Sequence, residues 1–281
     1  MKKKILVITL LAGFFITSCD KIDAPYIKTD NTVNTDVEFP DIDPSQVVRH
    51  ILVEEFTGQQ CPNCPSQGHV PLKELLESDP TVVPVAIHAG SFAIPTGNYP
   101  NDFRTEIGNK LYSQFVTGGI PCAMIDRVKY NGSYAITSQN WNAAIAEIDR
   151  NDIVGAIQII NKTDGDALTV HTKTTILKDY ENKLILSVFL TEDSIVGPQL
   201  DGSERIEGYV HNHLLRAAVN GTDGAYLSQS GLVEKDSSYT KSYGLSFADK
   251  NWRKEHCKIV AFIFDSETQE VLQAETAAVG K

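Results

Sequence analysis

Cys61-Pro62-Asn63-Cys64 stands between an apolar run and a segment with helical spacing, and cysteines so placed commit the chain to a strand-to-helix junction. Arg49 to Phe56 reads as a strand buried in its middle that stops at the turn signal Thr57-Gly58. Past the cysteines, Pro65 to Glu77 carries Val70, Leu72, Leu75 and Leu76 at near-helical spacing, and Pro71 predicts a kink there. Such a pair serves thiol–disulfide exchange, braces a fold as an inert disulfide, or supplies half of a zinc site. No second CxxC completes a zinc site, and Cys122 with His69 or His88 would make only an improvised one.

Strands and helices go on alternating. Val82 to His88 is a second apolar strand, and Pro100 to Val116 reads as a helix with Phe103, Ile107, Leu111 and Phe115 at steps of four. Gly118-Gly119-Ile120-Pro121 breaks that helix and leads into a strand from Cys122 to Asp126. After the turn at Asn131-Gly132, Ser138 is placed to cap a helix containing Trp141, Ile145 and Ile148.

This order resembles the thioredoxin fold. Three features carry the resemblance: a CxxC directly after a strand, Glu55 six positions before the first cysteine, and Gly119-Ile120-Pro121 ahead of a strand. The resemblance implies a cis Ile120–Pro121 peptide packed against the disulfide. At the helix N-terminus, backbone N–H groups and the macrodipole favour a Cys61 thiolate, which makes Cys61 the attacking sulfur and Cys64 the resolving one. By the same resemblance Glu55, if buried beneath, moves the proton of Cys64, and Pro121 shapes the substrate groove. The sequence departs from that family at Gln59-Gln60, where a tryptophan usually precedes the cysteine, at Cys122 after the proline, and in the long loop 89–101. Cys122 reads as a third thiol beside the pair or, the commoner outcome at a strand start, as a buried free cysteine. Cys257 reads as buried too, and a bridge between them requires closely docked domains.

After Asn151 the pattern changes. Seven strand-like segments, 153–161, 168–177, 184–190, 209–218, 238–247, 258–265 and 271–278, are separated by turn signals such as Asp164-Gly165, Glu181-Asn182 and Asn220-Gly221, with a variable excursion over 192–208. Together with the thioredoxin resemblance this implies an α/β thioredoxin-like domain over 46–151 followed by an all-β immunoglobulin-like sandwich over 152–281. His211 and His213 alternate on one strand face without an acidic or cysteine partner at ligand spacing, the pattern of an exposed polar face. Arg216 points the other way, toward a structural pair. Neither a metal nor another cofactor is expected.

The amino terminus is an address. Lys2, Lys3 and Lys4 precede the apolar run Ile5 to Ile16, whose twelve residues match a signal peptide and fall short of a membrane span. Ile16-Thr17-Ser18-Cys19 resembles the lipobox of bacterial lipoproteins, which implies removal of residues 1–18 and lipidation of Cys19. Two or more acyl chains make such an anchor stable. Residues 19–45 then form a tether: from Asp20 onward there are seven acidic residues, three prolines and almost no apolar periodicity.

The whole chain has 281 residues and a formal charge of −11, which becomes −14 once the three leader lysines are gone. That sign, without a basic cluster beyond the leader, excludes a backbone-gripping nucleic-acid binder. The lipobox, the acidic tether, Glu-Glu-Phe-Thr-Gly-Gln-Gln-Cys-Pro-Asn-Cys, Gly-Ile-Pro with Ile125-Asp126-Arg127, and His-Asn-His-Leu-Leu-Arg together resemble the twenty-eight-kilodalton outer-membrane lipoprotein family of Bacteroides-type bacteria. That resemblance implies an outer-membrane location and a role in surface adhesion or receptor binding. Two functions therefore stand as expectations. One is a lipid-anchored thiol–disulfide oxidoreductase acting on exported proteins through Cys61, Cys64, Glu55 and Pro121. The other is a surface binding protein, with a protein partner, whose disulfide only braces the fold; Phe92 and Tyr99 in the long loop suit it.

Overall fold

The computed structural model describes residues 37–228 and 231–280. The signal peptide, Cys19 and the first part of the tether lie outside the described residues. In chain order, β1 (Ile51–Thr57), α1 (Val70–Ser78), β2 (Val82–His88), α2 (Glu106–Phe115), β3 (Cys122–Ile125), β4 (Ala135–Ile136) and α3 (Trp141–Ala146) come first. Ten strands follow: β5 (Gly155–Asp164), β6 (Ala167–Ile176), β7 (Leu184–Glu192), β8 (Ile195–Asp201), β9 (Glu204–His211), β10 (Leu214–Ala218), β11 (Ala225–Tyr226), β12 (Ser238–Ser246), β13 (Cys257–Asp265) and β14 (Val271–Ala278).

The expectation of a thioredoxin-like unit followed by an immunoglobulin-like sandwich is overturned. The protein is mostly β, and one nine-stranded mixed sheet in the order β14-β13-β7-β10-β2-β1-β3-β4, with β11 on β7, takes strands from both halves of the chain. The junction is a parallel contact between β10 and β2, where Leu214 lies opposite Ala86 and the Ala86 N–H donates to His213 O at 2.7 Å.

Burial on both faces explains why the halves merge. Along β7, Leu184, Leu186, Val188 and Leu190 enter one core with β5, β6 and β12, while Phe189 on the opposite face enters another with Phe56, Ile87, Leu111 and Phe115. β13 divides in the same way, with Ile259, Ala261 and Ile263 on one side and Val260, Phe262 and Phe264 on the other. A near-continuous apolar run of this kind needs cover on both faces, and a lone sandwich covers only one. The first-half strands and α2 supply the second cover. A third core lies under α1 and α3, where Leu72, Leu75, Trp141 and Ile145 meet Ile51, Val53 and Ile125.

Three local expectations also change. Helix α2 begins at Glu106 because Thr105 caps it, its Oγ1 accepting from the Gly108 N–H at 3.0 Å. Ser138 opens a short 3₁₀ turn and does not cap α3 with its side chain. The strand expected over 209–218 is two strands, broken at Asn212-His213, where His213 has φ 56°.

Candidate functional site

Strand β1 ends at Thr57, and the chain turns sharply through Gly58 to reach the cysteines. A Cβ on Gly58 would lie 2.7 Å from the carbonyl carbon of Phe92, so only glycine fits between the turn and the 89–101 loop. Gln60 ties the two together, its N–H donating to Phe92 O at 3.0 Å and its side-chain amide to Ile94 O at 2.6 Å. Cys61 and Cys64 form a disulfide. Pro65–His69 then makes a π turn, closed by the Val70 N–H on Pro65 O, before α1 begins. Widening the turn there accommodates Pro71, which has no N–H to give.

The predicted site residues converge on this disulfide. Sγ of Cys61 lies 3.8 Å from Ile120 O, and the Ile120–Pro121 peptide is cis. Glu55, in register with Ala86 and Ala123, is buried under the π turn, and its Oε1 has no hydrogen-bond partner among the described residues. Burial pushes its carboxyl up to about 8, so it holds its proton at neutral pH. Cys122 is a buried free thiol, pushed up to about 12 by burial and by the neighbouring Glu55. Cys257 is free and buried as well, so the two do not bridge. Gly68 sits directly over the Glu55 carboxyl, and a Cβ there would press on its Oε1 and lie 3.0 Å from Pro121 Cβ. Gly68→Ala is therefore expected to destabilise the protein by about 1–3 kcal/mol in urea titration, although the same change on an open helix surface stabilises.

What covers the disulfide comes from far along the chain. Among the described residues β8 and β9 pair only with each other, and they fold back over the Gly58–Pro62 turn. The Gln199 amide donates to Gly58 O and Cys61 O, both at 3.2 Å. Leu200 N–H donates to Gln59 O and Gly202 N–H to Pro62 O, each at 2.8 Å. Beneath the hairpin, Glu55, Cys64, His69, His88, Tyr209 and His211 line a polar cavity of about 20 Å³, room for a single water. His88 Nδ1 and His211 Nε2 are buried there without hydrogen-bond partners among the described residues, and burial holds both imidazoles neutral, His211 at about 4. His211 is thus enclosed and not on an exposed strand face. His213 instead meets Asp193 at 3.1 Å, and Arg216 meets Glu192 at 3.3 Å as a structural pair. Among the described residues no group of three or more His, Cys, Asp and Glu is placed to hold a metal.

A family model described as outer membrane protein Omp28 matches residues 108–281, more than half of the chain. The chain belongs to the Omp28 family. It is accordingly an envelope protein associated with the outer membrane. The Omp28 match starts inside α2, so it takes in Pro121, Cys122 and the hairpin but not Glu55, Cys61 or Cys64. Among solved structures, HBP35 of Porphyromonas gingivalis is 14% identical over 83% of this chain and 76% of its own, with a TM-score of 0.65, a likeness of fold alone. A domain of the outer membrane lipoprotein Omp28 from the same organism is 24% identical over 46% of this chain and 89% of its own, with a TM-score of 0.33. No curated protein matches.

The hairpin and the residues it brings, Gln199, Tyr209 and His211, were not expected at the site. The signal for the hairpin itself is Asp201-Gly202 between Leu200 and Ile206, a strong two-strand turn pattern.

Proposed function

We propose that this chain is a surface binding lipoprotein, held at the outer membrane by lipid on Cys19 through the 19–45 tether, in which Cys61–Cys64 is a structural brace. The observation that carries this reading is the cover over the disulfide: Cys61 is 1% and Cys64 2% exposed. A sulfur shielded by its own chain meets no protein substrate. This end offers apolar side chains to solvent, Phe92 and Ile94 on the loop and Val196 and Val210 on the hairpin, among exposed polar ones such as Asn63, Asp201 and Glu204. The two elements join where Arg205 Nε donates to Asn98 O at 2.8 Å and its guanidinium lies 5.5 Å from the Tyr99 ring centroid. Exposed apolar side chains beside rigid, hydrogen-bonded backbone are what a protein partner grips.

Thiol–disulfide exchange with exported proteins is the second reading, favoured by one observation. Glu55 lines the same cavity as Cys64 and keeps its proton there, in place to serve a departing thiolate. The reduction potential of the pair decides between the two, measured by thiol trapping of the full-length chain in glutathione buffers. The brace predicts a value below roughly −300 mV. A value between about −120 and −270 mV would favour exchange and overturn the brace.

A further inference from the structure

A two-stranded hairpin that pairs with no third strand is marginally stable in water, so β8–β9 is held closed by what it lies on. On its outer edge that is a row of carbonyls. Gly58, Gln59, Cys61 and Pro62 each present a backbone oxygen to Gln199, Leu200 or Gly202, although Gly58 O and Cys61 O also accept from the Cys61 and Cys64 N–H groups within the turn. Leu200 lies in β8, and Gly202, at φ 56°, lies in the turn that follows it, so the end of the strand and the tip of the hairpin both donate to the Gly58–Pro62 turn. The turn is thus held through its carbonyls by a side-chain amide and two backbone N–H groups at the tip of the hairpin.

On its inner side the hairpin is poorly satisfied. Closing it leaves His211 Nε2 facing a cavity where His88 Nδ1 and Glu55 Oε1 also lack partners. None of the three has a protein partner among the described residues, and opening the hairpin gives all three bulk water. The closed state is favoured by these bonds, by Arg205 on Asn98 O and by the ring contacts of Tyr209 with His69 and of His211 with His88 and Phe103, and it is opposed by the burial of three polar atoms without protein partners. That balance suits displacement.

We propose that the Gly58–Pro62 turn is a binding edge for a polypeptide segment, and that residues 199–202 of the hairpin occupy it as an internal surrogate which a partner segment displaces. The inference rests on reading this end as the binding face and says what that face accepts: a segment with N–H donors two residues apart, the second of them in a left-handed turn, and a side-chain amide beside them. Phe92 and Ile94, exposed next to the turn, would then meet the side chains flanking that segment.

The test uses the full-length chain, its Gln199→Ala, Leu200→Pro variant, and a fluorescent peptide with the sequence of residues 195–202. The variant removes three of the hairpin's four bonds to the turn. The peptide is expected to bind the variant at least about tenfold more tightly than the parent, a scrambled peptide should bind neither, and a phosphine should reduce the variant's disulfide about tenfold faster unless the peptide is present. In the parent, local opening predicts a reduction rate nearly flat in urea below the unfolding transition. Equal or absent peptide binding in both proteins overturns the proposal, as does parental reduction that only follows global unfolding. Should the variant fail to fold, the parent's urea dependence alone decides. A reduction potential in the exchange range would sink the brace without moving any of these readouts, so the two failures are distinguishable.

Discussion

Arg127→Met is expected to destabilise the protein by about 3–5 kcal/mol and to lower its unfolding midpoint by on the order of 10 °C. Arg127 and Glu54 have side chains only 3% and 1% exposed, and they meet in a bidentate pair, Nε to Oε2 and Nη2 to Oε1, both at 2.8 Å. The guanidinium also lies 5.1 Å from the Phe262 ring centroid and 5.2 Å from that of Phe264. Those rings belong to β13, whereas Glu54 belongs to β1, so one side chain links the two halves of the nine-stranded sheet. Removing the cation leaves a carboxylate in the shared core with nothing to pair it. Most of the loss therefore comes from Glu54 and not from the missing methylenes. The double variant Glu54→Gln, Arg127→Met should recover the greater part of it, and urea titration of the two singles and the double measures the coupling. A single-variant loss below about 1 kcal/mol would show that water already reaches the pair.

That pair also marks where sequence reasoning stops. Val82–His88 and Val271–Ala278 were legible to the residue because apolar runs end there at turn signals. Glu55, Pro121 and Cys122 lie around the Cys61–Cys64 disulfide, although the fold from which that grouping was expected is not the one observed. Four things were not legible. The Phe103-to-Ile107 step of four looks helical, yet Thr105 supplies the cap that starts α2 beyond Phe103, and a cap competes with periodicity only locally. A left-handed His213 breaks the 209–218 run, and nothing in a non-glycine residue announces it. Most consequential, the apolar run Leu184–Leu190 says that β7 is covered on both faces but not by what. The answer depends on Leu214 meeting Ala86, a pairing between distant segments that no local pattern encodes. The cover over the disulfide escaped for the same reason. Asp201-Gly202 signals a hairpin, while its resting place on Gly58–Pro62 is set by hydrogen bonds between residues far apart in the chain.

Glu55→Gln should be more stable than the parent at alkaline pH, and the advantage should vanish in acid. Burial raises the Glu55 carboxyl from an ordinary 4.5 to about 8 in the folded protein. The folded state then holds a proton that the unfolded chain releases above 4.5. This group's contribution is whole below that pH and is lost as pH rises through 8. At roughly 1.4 kcal/mol per pH unit the full span amounts to about 3–5 kcal/mol. Glutamine mimics the protonated carboxyl and has nothing to lose. The histidines of the same cavity work in the opposite sense. His211, lowered to about 4 from 6.5, is neutral when folded, and its contribution is lost as pH falls from 6.5 toward 4; His88 shifts in the same direction. Between 4.5 and 6.5 the Glu55 and His211 slopes oppose each other, so the parent should show a plateau that the glutamine variant lacks. Urea titrations of both proteins at pH 5 and pH 8.5 isolate the Glu55 limb, since the histidine contribution is common to the two. A difference that does not change with pH would mean that the carboxyl is hydrated, and the cavity beneath the hairpin would then be open to solvent.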